Sequence, residues 1–118
     1  MYTLMVKTEF EAAHCIPGHP GKCANLHGHG YRVEAEFAGE KLNEIGMVAD
    51  FADLRQALTD LLPDHRYLNE LMDFPTTAEN IARWIYEGLV KAELPVTAVT
   101  VWETEYAACR YIPSESAS

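Results

Sequence analysis

Basic side chains are scarce in this chain. Nine Lys and Arg stand against 18 Asp and Glu across 118 residues, a formal charge of −9. Nucleic acid and anionic membrane surfaces demand clustered cations against phosphate, so neither is an expected partner. Only three cysteines are present and none forms a C-x-x-C pair. That argues against a disulfide framework and for a reducing compartment. No apolar run nears the roughly 20 residues needed to cross a bilayer. The opening MYTLMVKTEFEAAH also lacks the basic stretch and apolar block of a secretory leader. A cytoplasmic location is expected. Repeats and low-complexity tracts are missing too, apart from the polar end Pro113–Ser118.

What is there is an ordinary globular composition, 48% apolar and 23% charged, long enough for one domain and short for two. One domain is expected over 1–113, followed by a frayed polar tail over 114–118. Residues 2–14 alternate, with Tyr2, Leu4, Val6, Thr8, Phe10 and Ala12 on one face. Residues 27–37 alternate again, with Tyr31, Val33, Ala35 and Phe37 facing in. Both read as half-buried strands. Asp50 caps a helix whose Phe51, Leu54, Leu58, Leu61 and Leu62 share a face until Pro63 stops it. Thr76-Thr77-Ala78-Glu79 reads as the capping box of a second helix carrying Ile81, Ile85 and Leu89. Residues 96–104 and 107–112 read as two further strands. The order ββααββ predicts an α+β domain, with helices on one face of an antiparallel sheet. Four open strands leave two long edges, which invite pairing with other subunits.

The unusual feature is histidine. His14 continues the inward phase of the first strand, and His27 and His29 open that of the second. If the strands lie side by side across the Gly/Pro-rich loop 16–22, three imidazoles converge at one end of the sheet. Three neutral imidazoles with a further position open are the ligand set of catalytic zinc. A lone histidine is more often satisfied by backbone, but three in phase favour a metal. Gly28, between two of them, suggests a close backbone approach. His19 reads as a solvated loop residue.

Cys23 precedes His27 by four residues. Its bland reading is a small buried hydrophobe; Lys22 and a nearby dication would favour a reactive thiolate. Cys15 and Cys109 lack that setting. Asp64 and His65 are adjacent, and side chains at i, i+1 do not ordinarily face each other, so the pair reads first as a polar loop. Glu103 continues the phase of Val99 and Val101. It is either solvated or a carboxylate set to accept the paired N–H donors of a planar heterocycle.

Taken in order, Phe10-Glu-Ala-Ala-His14, Cys23-x-x-x-His27-Gly-His29, Gly46-Met-Val-x-Asp50-Phe51, Asp64-His65-x-Tyr67-Leu-Asn69, Pro75-Thr-Thr-x-Glu79-Asn80 and Glu103-Thr104 run nearly the length of the chain. Together they resemble the 6-pyruvoyl-tetrahydropterin synthase family. The three residues between Cys23 and His27 resemble its bacterial branch, 6-carboxy-5,6,7,8-tetrahydropterin synthase of the queuosine and deazapurine pathway. The pyruvoyl-forming enzymes have a longer insertion there.

The resemblance implies a tunnelling fold (T-fold) whose subunits close into a barrel, a homohexamer with active sites between subunits. It implies Zn2+ on His14, His27 and His29, with Cys23 abstracting a proton and Asp64 and His65 completing a relay. Glu103 would anchor a pterin, near Thr76, Thr77 and Glu79. The implied reaction takes 7,8-dihydroneopterin triphosphate to 6-carboxytetrahydropterin, acetaldehyde and triphosphate. The alternatives are a pyruvoyl-forming synthase or related side-chain lyase and, outside catalysis, a zinc- or pterin-binding module. Cys15 and Asn25 stand where relatives carry basic residues. Lys22, with Lys7 or Arg110, is left as the cation for the triphosphate.

Overall fold

Two 13-residue strands form the spine of the molecule, β1 (Tyr2–His14) and β2 (His27–Gly39). They pair antiparallel from Tyr2 opposite Gly39 to His14 opposite His27. The inward phase read from the sequence is the buried one: Val6, Phe10 and Ala12 on β1 face the core with Tyr31, Val33, Ala35 and Phe37 on β2. Phe10 and Tyr31 stack at a centroid separation of 4.8 Å, close to the site end of the hairpin. The computed structural model describes residues 1–114. The tail expected from 114 onward therefore lies, past Ser114, outside the described residues.

Helix α1 (Phe51–Leu61) starts where Asp50 accepts the Ala52 N–H at 2.8 Å. Leu54 and Leu58 of this helix enter the core. Helix α3 (Ala78–Lys91) buries Ile81, Ala82, Ile85 and Leu89 on the same face of the sheet. Gly88 sits where the two helices meet; a Cβ there would lie 2.6 Å from a methyl of Leu61. The expected capping box is displaced by one residue. Thr77 is the N-cap and accepts from the Asn80 N–H at 3.2 Å, while Thr76 turns into the protein.

Strands β4 (Val96–Trp102) and β5 (Ala108–Tyr111) follow, each shorter than the alternation suggested. The sheet has five strands, in the order β3-β1-β2-β4-β5, rather than four. The additional strand β3 (Arg66–Tyr67) runs parallel to Ala12 and Ala13 and leads into a single-turn helix α2 (Leu68–Leu71). Two residues and one turn are too short for any periodic signal. Side chain and backbone hold them: the Glu11 N–H donates to Asp64 Oδ1 at 2.9 Å, and the His65 N–H donates to the Glu11 carbonyl. The result is an α+β fold with its helices on one face. At Gly28 the close approach expected is absent, since an added Cβ would meet only the Ala12 carbonyl at an ordinary 3.6 Å.

Candidate metal centre and the residues around it

The antiparallel register decides where the histidines go. His14 ends β1 directly opposite His27, which begins β2, and His29 follows two residues on along the same face. The rings pack with centroids 4.5, 5.1 and 4.8 Å apart. One nitrogen from each lies within 4.8 Å of the other two, an arrangement able to hold a metal ion.

Backbone carbonyls orient two of the rings. Nδ1 of His14 lies 2.8 Å from the Thr76 carbonyl, and Nδ1 of His27 lies 2.7 Å from the Asn25 carbonyl. A carbonyl can only accept, so each Nδ1 carries the proton and each Nε2 presents its lone pair. In His29, Nε2 is buried and makes no hydrogen bond among the described residues. Burial holds His14 and His29 below the usual histidine range, outweighing the Thr76 carbonyl at the first and the Glu103 carboxylate at the second. Three converging imidazoles, two of them anchored through Nδ1 on backbone carbonyls, are the donor set a zinc-type ion requires. The group fits.

Glu103 lies just past the end of β4, neither solvated nor fully buried, with 29% of its side chain exposed. Its Oε1 stands 3.3 Å from Nε2 of His14 and 3.4 Å from Nε2 of His29. With Glu79, Cys109 and Arg110 it lines a depression of about 490 Å³. Burial, then Glu79, pushes the Cys109 thiol up, so this cysteine is a poor nucleophile. Arg110 is committed elsewhere, its guanidinium forming two bonds to Glu36 at 2.8 and 3.0 Å. Lys7 faces Glu34 at 3.8 Å. Lys22 is exposed on a 3-10 turn, Lys22–Ala24, that also carries the half-buried Cys23. The Ile16 N–H donates to the Cys23 carbonyl at 2.7 Å, which draws this turn back to the end of β1.

Asp64 and His65 do face each other. Asp64 Oδ2 is 2.9 Å from His65 Nδ1, because His65 adopts a left-handed backbone with φ of 56° that swings consecutive side chains together. The backbone N–H of Glu11 and then the His65 ring hold the Asp64 carboxyl below its usual range, and Asp64 holds the His65 imidazole above its own. His65 and His29 line one groove of about 600 Å³ with Glu11, Arg66 and Tyr67. Thr76, expected beside a pterin, is fully buried with its carbonyl and hydroxyl both turned to His14.

Several contributors carry no sequence signal. The Asn25 and Thr76 carbonyls that orient two rings belong to the backbone, which any residue supplies. Tyr31 is legible as core, not as a phenol 3.2 Å from Nε2 of His14. Burial and then Glu103 push that phenol well above its ordinary range, so it remains protonated.

The description of the 6-pyruvoyl tetrahydropterin synthase family matches residues 3–114. The chain belongs to that family. A protein of Archaeoglobus fulgidus named putative 6-carboxy-5,6,7,8-tetrahydropterin synthase is 44% identical over 102 residues, 85% of this chain and 86% of that one. The 6-carboxy-5,6,7,8-tetrahydropterin synthase of Synechocystis is 40% identical over 120 residues, 94% and 93% of the two chains. Among solved structures, the 6-pyruvoyl tetrahydropterin synthase of Caenorhabditis elegans superposes with a TM-score of 0.83. It is 29% identical and covers 96% of each chain. Family membership brings the T-fold architecture with it, and the five-stranded sheet with its helices on one face is that fold in this chain.

Proposed function

We propose that this chain is a zinc-dependent lyase converting 7,8-dihydroneopterin triphosphate to 6-carboxy-5,6,7,8-tetrahydropterin, with release of acetaldehyde and triphosphate. The observation that carries the reading is the three-histidine cluster, in which backbone carbonyls hold Nδ1 of His14 and His27 and Nε2 of His29 is buried beside the Glu103 carboxylate. The names of the two relatives at 44% and 40% identity support the same reaction. The reaction feeds deazapurine biosynthesis, and it suits a homohexamer closing the open sheet edges into a barrel.

Zinc held by His14, His27 and His29 would supply Lewis acidity to oxygens of the substrate side chain. Cys23, as thiolate, takes the proton from the carbon beside the pterin ring. Asp64 fixes the His65 ring through Nδ1, leaving Nε2 to give and take protons; the pair serves Cys23 of its own subunit or of a neighbour. Glu103 accepts the ring N–H and exocyclic amine of the pterin as two parallel hydrogen bonds. Glu79, which lines one depression with that carboxylate, and Thr77 serve as further pterin contacts, and Lys22 meets the triphosphate.

Product analysis tests the reading. Incubation with 7,8-dihydroneopterin triphosphate is expected to release acetaldehyde and triphosphate in equal amounts. A 6-pyruvoyl product without acetaldehyde would assign the pyruvoyl-forming reaction instead, and no turnover with tight pterin binding would assign a binding module.

A further inference from the structure

Asn69 reaches the metal centre without facing it. Its side-chain amide grips the Cys15 residue on both polar groups: Oδ1 accepts the Cys15 N–H at 3.0 Å, and Nδ2 donates to the Cys15 carbonyl at 2.9 Å. Those are the two bonds that a residue on an adjacent strand would supply. On this side of β1 the strand pairing with β3 ends at Ala13. Asn69 therefore takes over where the sheet stops, one residue beyond the ligand His14.

Thr76 closes the arrangement. Its Oγ1 lies 3.4 Å from the Cys15 carbonyl, 3.4 Å from Asn69 Oδ1 and 3.2 Å from His14 Nδ1, while its own carbonyl lies 2.8 Å from that Nδ1. Threonine and asparagine thus hold the backbone after His14 and the proton-bearing nitrogen of its ring within one network. Cys15 contributes through its peptide groups; its thiol is turned to the Tyr67 hydroxyl at 3.4 Å.

We propose that Asn69 is a positioning residue for the metal ligand His14, acting through the Cys15 peptide groups and Thr76, and that it sets the affinity of the three-histidine site for zinc. The proposal rests on the reading of that cluster as a zinc site. Only a primary amide meets both demands of Cys15. A carboxylate lacks the donor and turns negative charge on the carbonyl, and a leucine offers neither bond. Outer partners of this kind are typically worth 10–100-fold in metal affinity.

The test uses the zinc-loaded full chain challenged with a graded chromophoric chelator, beside thermal melts and 15N spectra of the histidine rings. Asn69→Leu is expected to weaken zinc about 10–100-fold and to let the metal-free His14 ring sample both tautomers. Thr76→Val should weaken zinc, and Thr76→Ser, which keeps the hydroxyl, should restore it. Where Asn69→Leu fails to fold by circular dichroism, Asn69→Asp and the Thr76 pair decide the outcome by the same titration. A folded Asn69→Leu or Asn69→Asp with wild-type zinc affinity and a single His14 tautomer overturns the proposal. With neither asparagine variant folded, Thr76→Val binding zinc as the wild type does overturns it equally. A wild-type chain that binds no zinc, or binds it equally well as His14→Ala, removes the zinc reading and the proposal with it.

Discussion

Asp64 and His65 are consecutive residues whose side chains form an ion pair, Oδ2 to Nδ1 at 2.9 Å. The carboxylate is held low and the imidazole high, each by the other together with the Glu11 backbone at Asp64. For His65, a raised value means that the pairing stabilises the fold fully below the unfolded histidine value of about 6.5 and is lost as pH climbs through the folded one. For Asp64, a lowered value means stabilisation present above about 3.9 and lost as pH falls through the folded one. The pair is therefore most fully formed between those two limits. A proton NMR titration should give His65 a midpoint above the ordinary histidine value, and Asp64→Asn should lower it, the Glu11 carboxylate 3.6 Å from Nε2 remaining in place. A His65 midpoint indifferent to Asp64→Asn would disprove the coupling.

Cys23 and Cys15 should separate cleanly. Cys23→Ala is expected to keep zinc and fold while turnover falls at least about a hundredfold, the usual loss of an acid–base group. Cys15→Ser should leave turnover unchanged, because its peptide groups hold the network and a serine hydroxyl can still meet Tyr67. Steady-state rates with zinc content measured on the same samples decide between them.

Metal removal offers a third check. Chelation should abolish turnover and readdition of zinc restore it, whereas His14→Ala should retain less than half an equivalent under the same purification. Full activity at such low zinc content would refute the metal assignment.

Glu103→Gln keeps the size and loses the charge that, in the proposed function, accepts the pterin donors. Hydrogen bonds to a charged group are worth about 1.5–3 kcal/mol, so pterin binding should weaken roughly 10–150-fold by that figure. Fluorescence titration with a pterin lacking the phosphorylated side chain measures this apart from turnover.

The core predicts stability and little else. Leu58 and Ile85 are fully buried between the helices and the sheet, so truncating either to alanine should cost about 2–5 kcal/mol. Denaturant melts should show that loss while zinc content per folded molecule stays constant.

Much of this fold is legible in the order of the amino acids. Alternation along 2–14 and 27–37 carries its own phase, so the inward position of His14, His27 and His29 follows from counting by twos. Long helices with leucine and isoleucine at helical spacing are equally readable. What escapes has a common physical cause. Strand β3 and helix α2 are held by long-range bonds to Glu11 and Cys15, and Asp64 meets His65 through a left-handed backbone that no side-chain pattern announces. The N-cap falls on Thr77 and not on Thr76 because burial of Thr76 against His14 outweighs the local capping box.

His14 sits opposite His27 in the last pair of the β1–β2 ladder. Strand side chains alternate faces, so slippage of β1 by a single residue would carry its ring to the opposite side of the sheet from its two companions. Any ion that grips both rings therefore selects this alignment of the two longest strands over a slip of one residue in either direction. A metal bound at the centre would thus also act as a proofreader of strand pairing, holding the correctly threaded hairpin more tightly than one slipped by a residue.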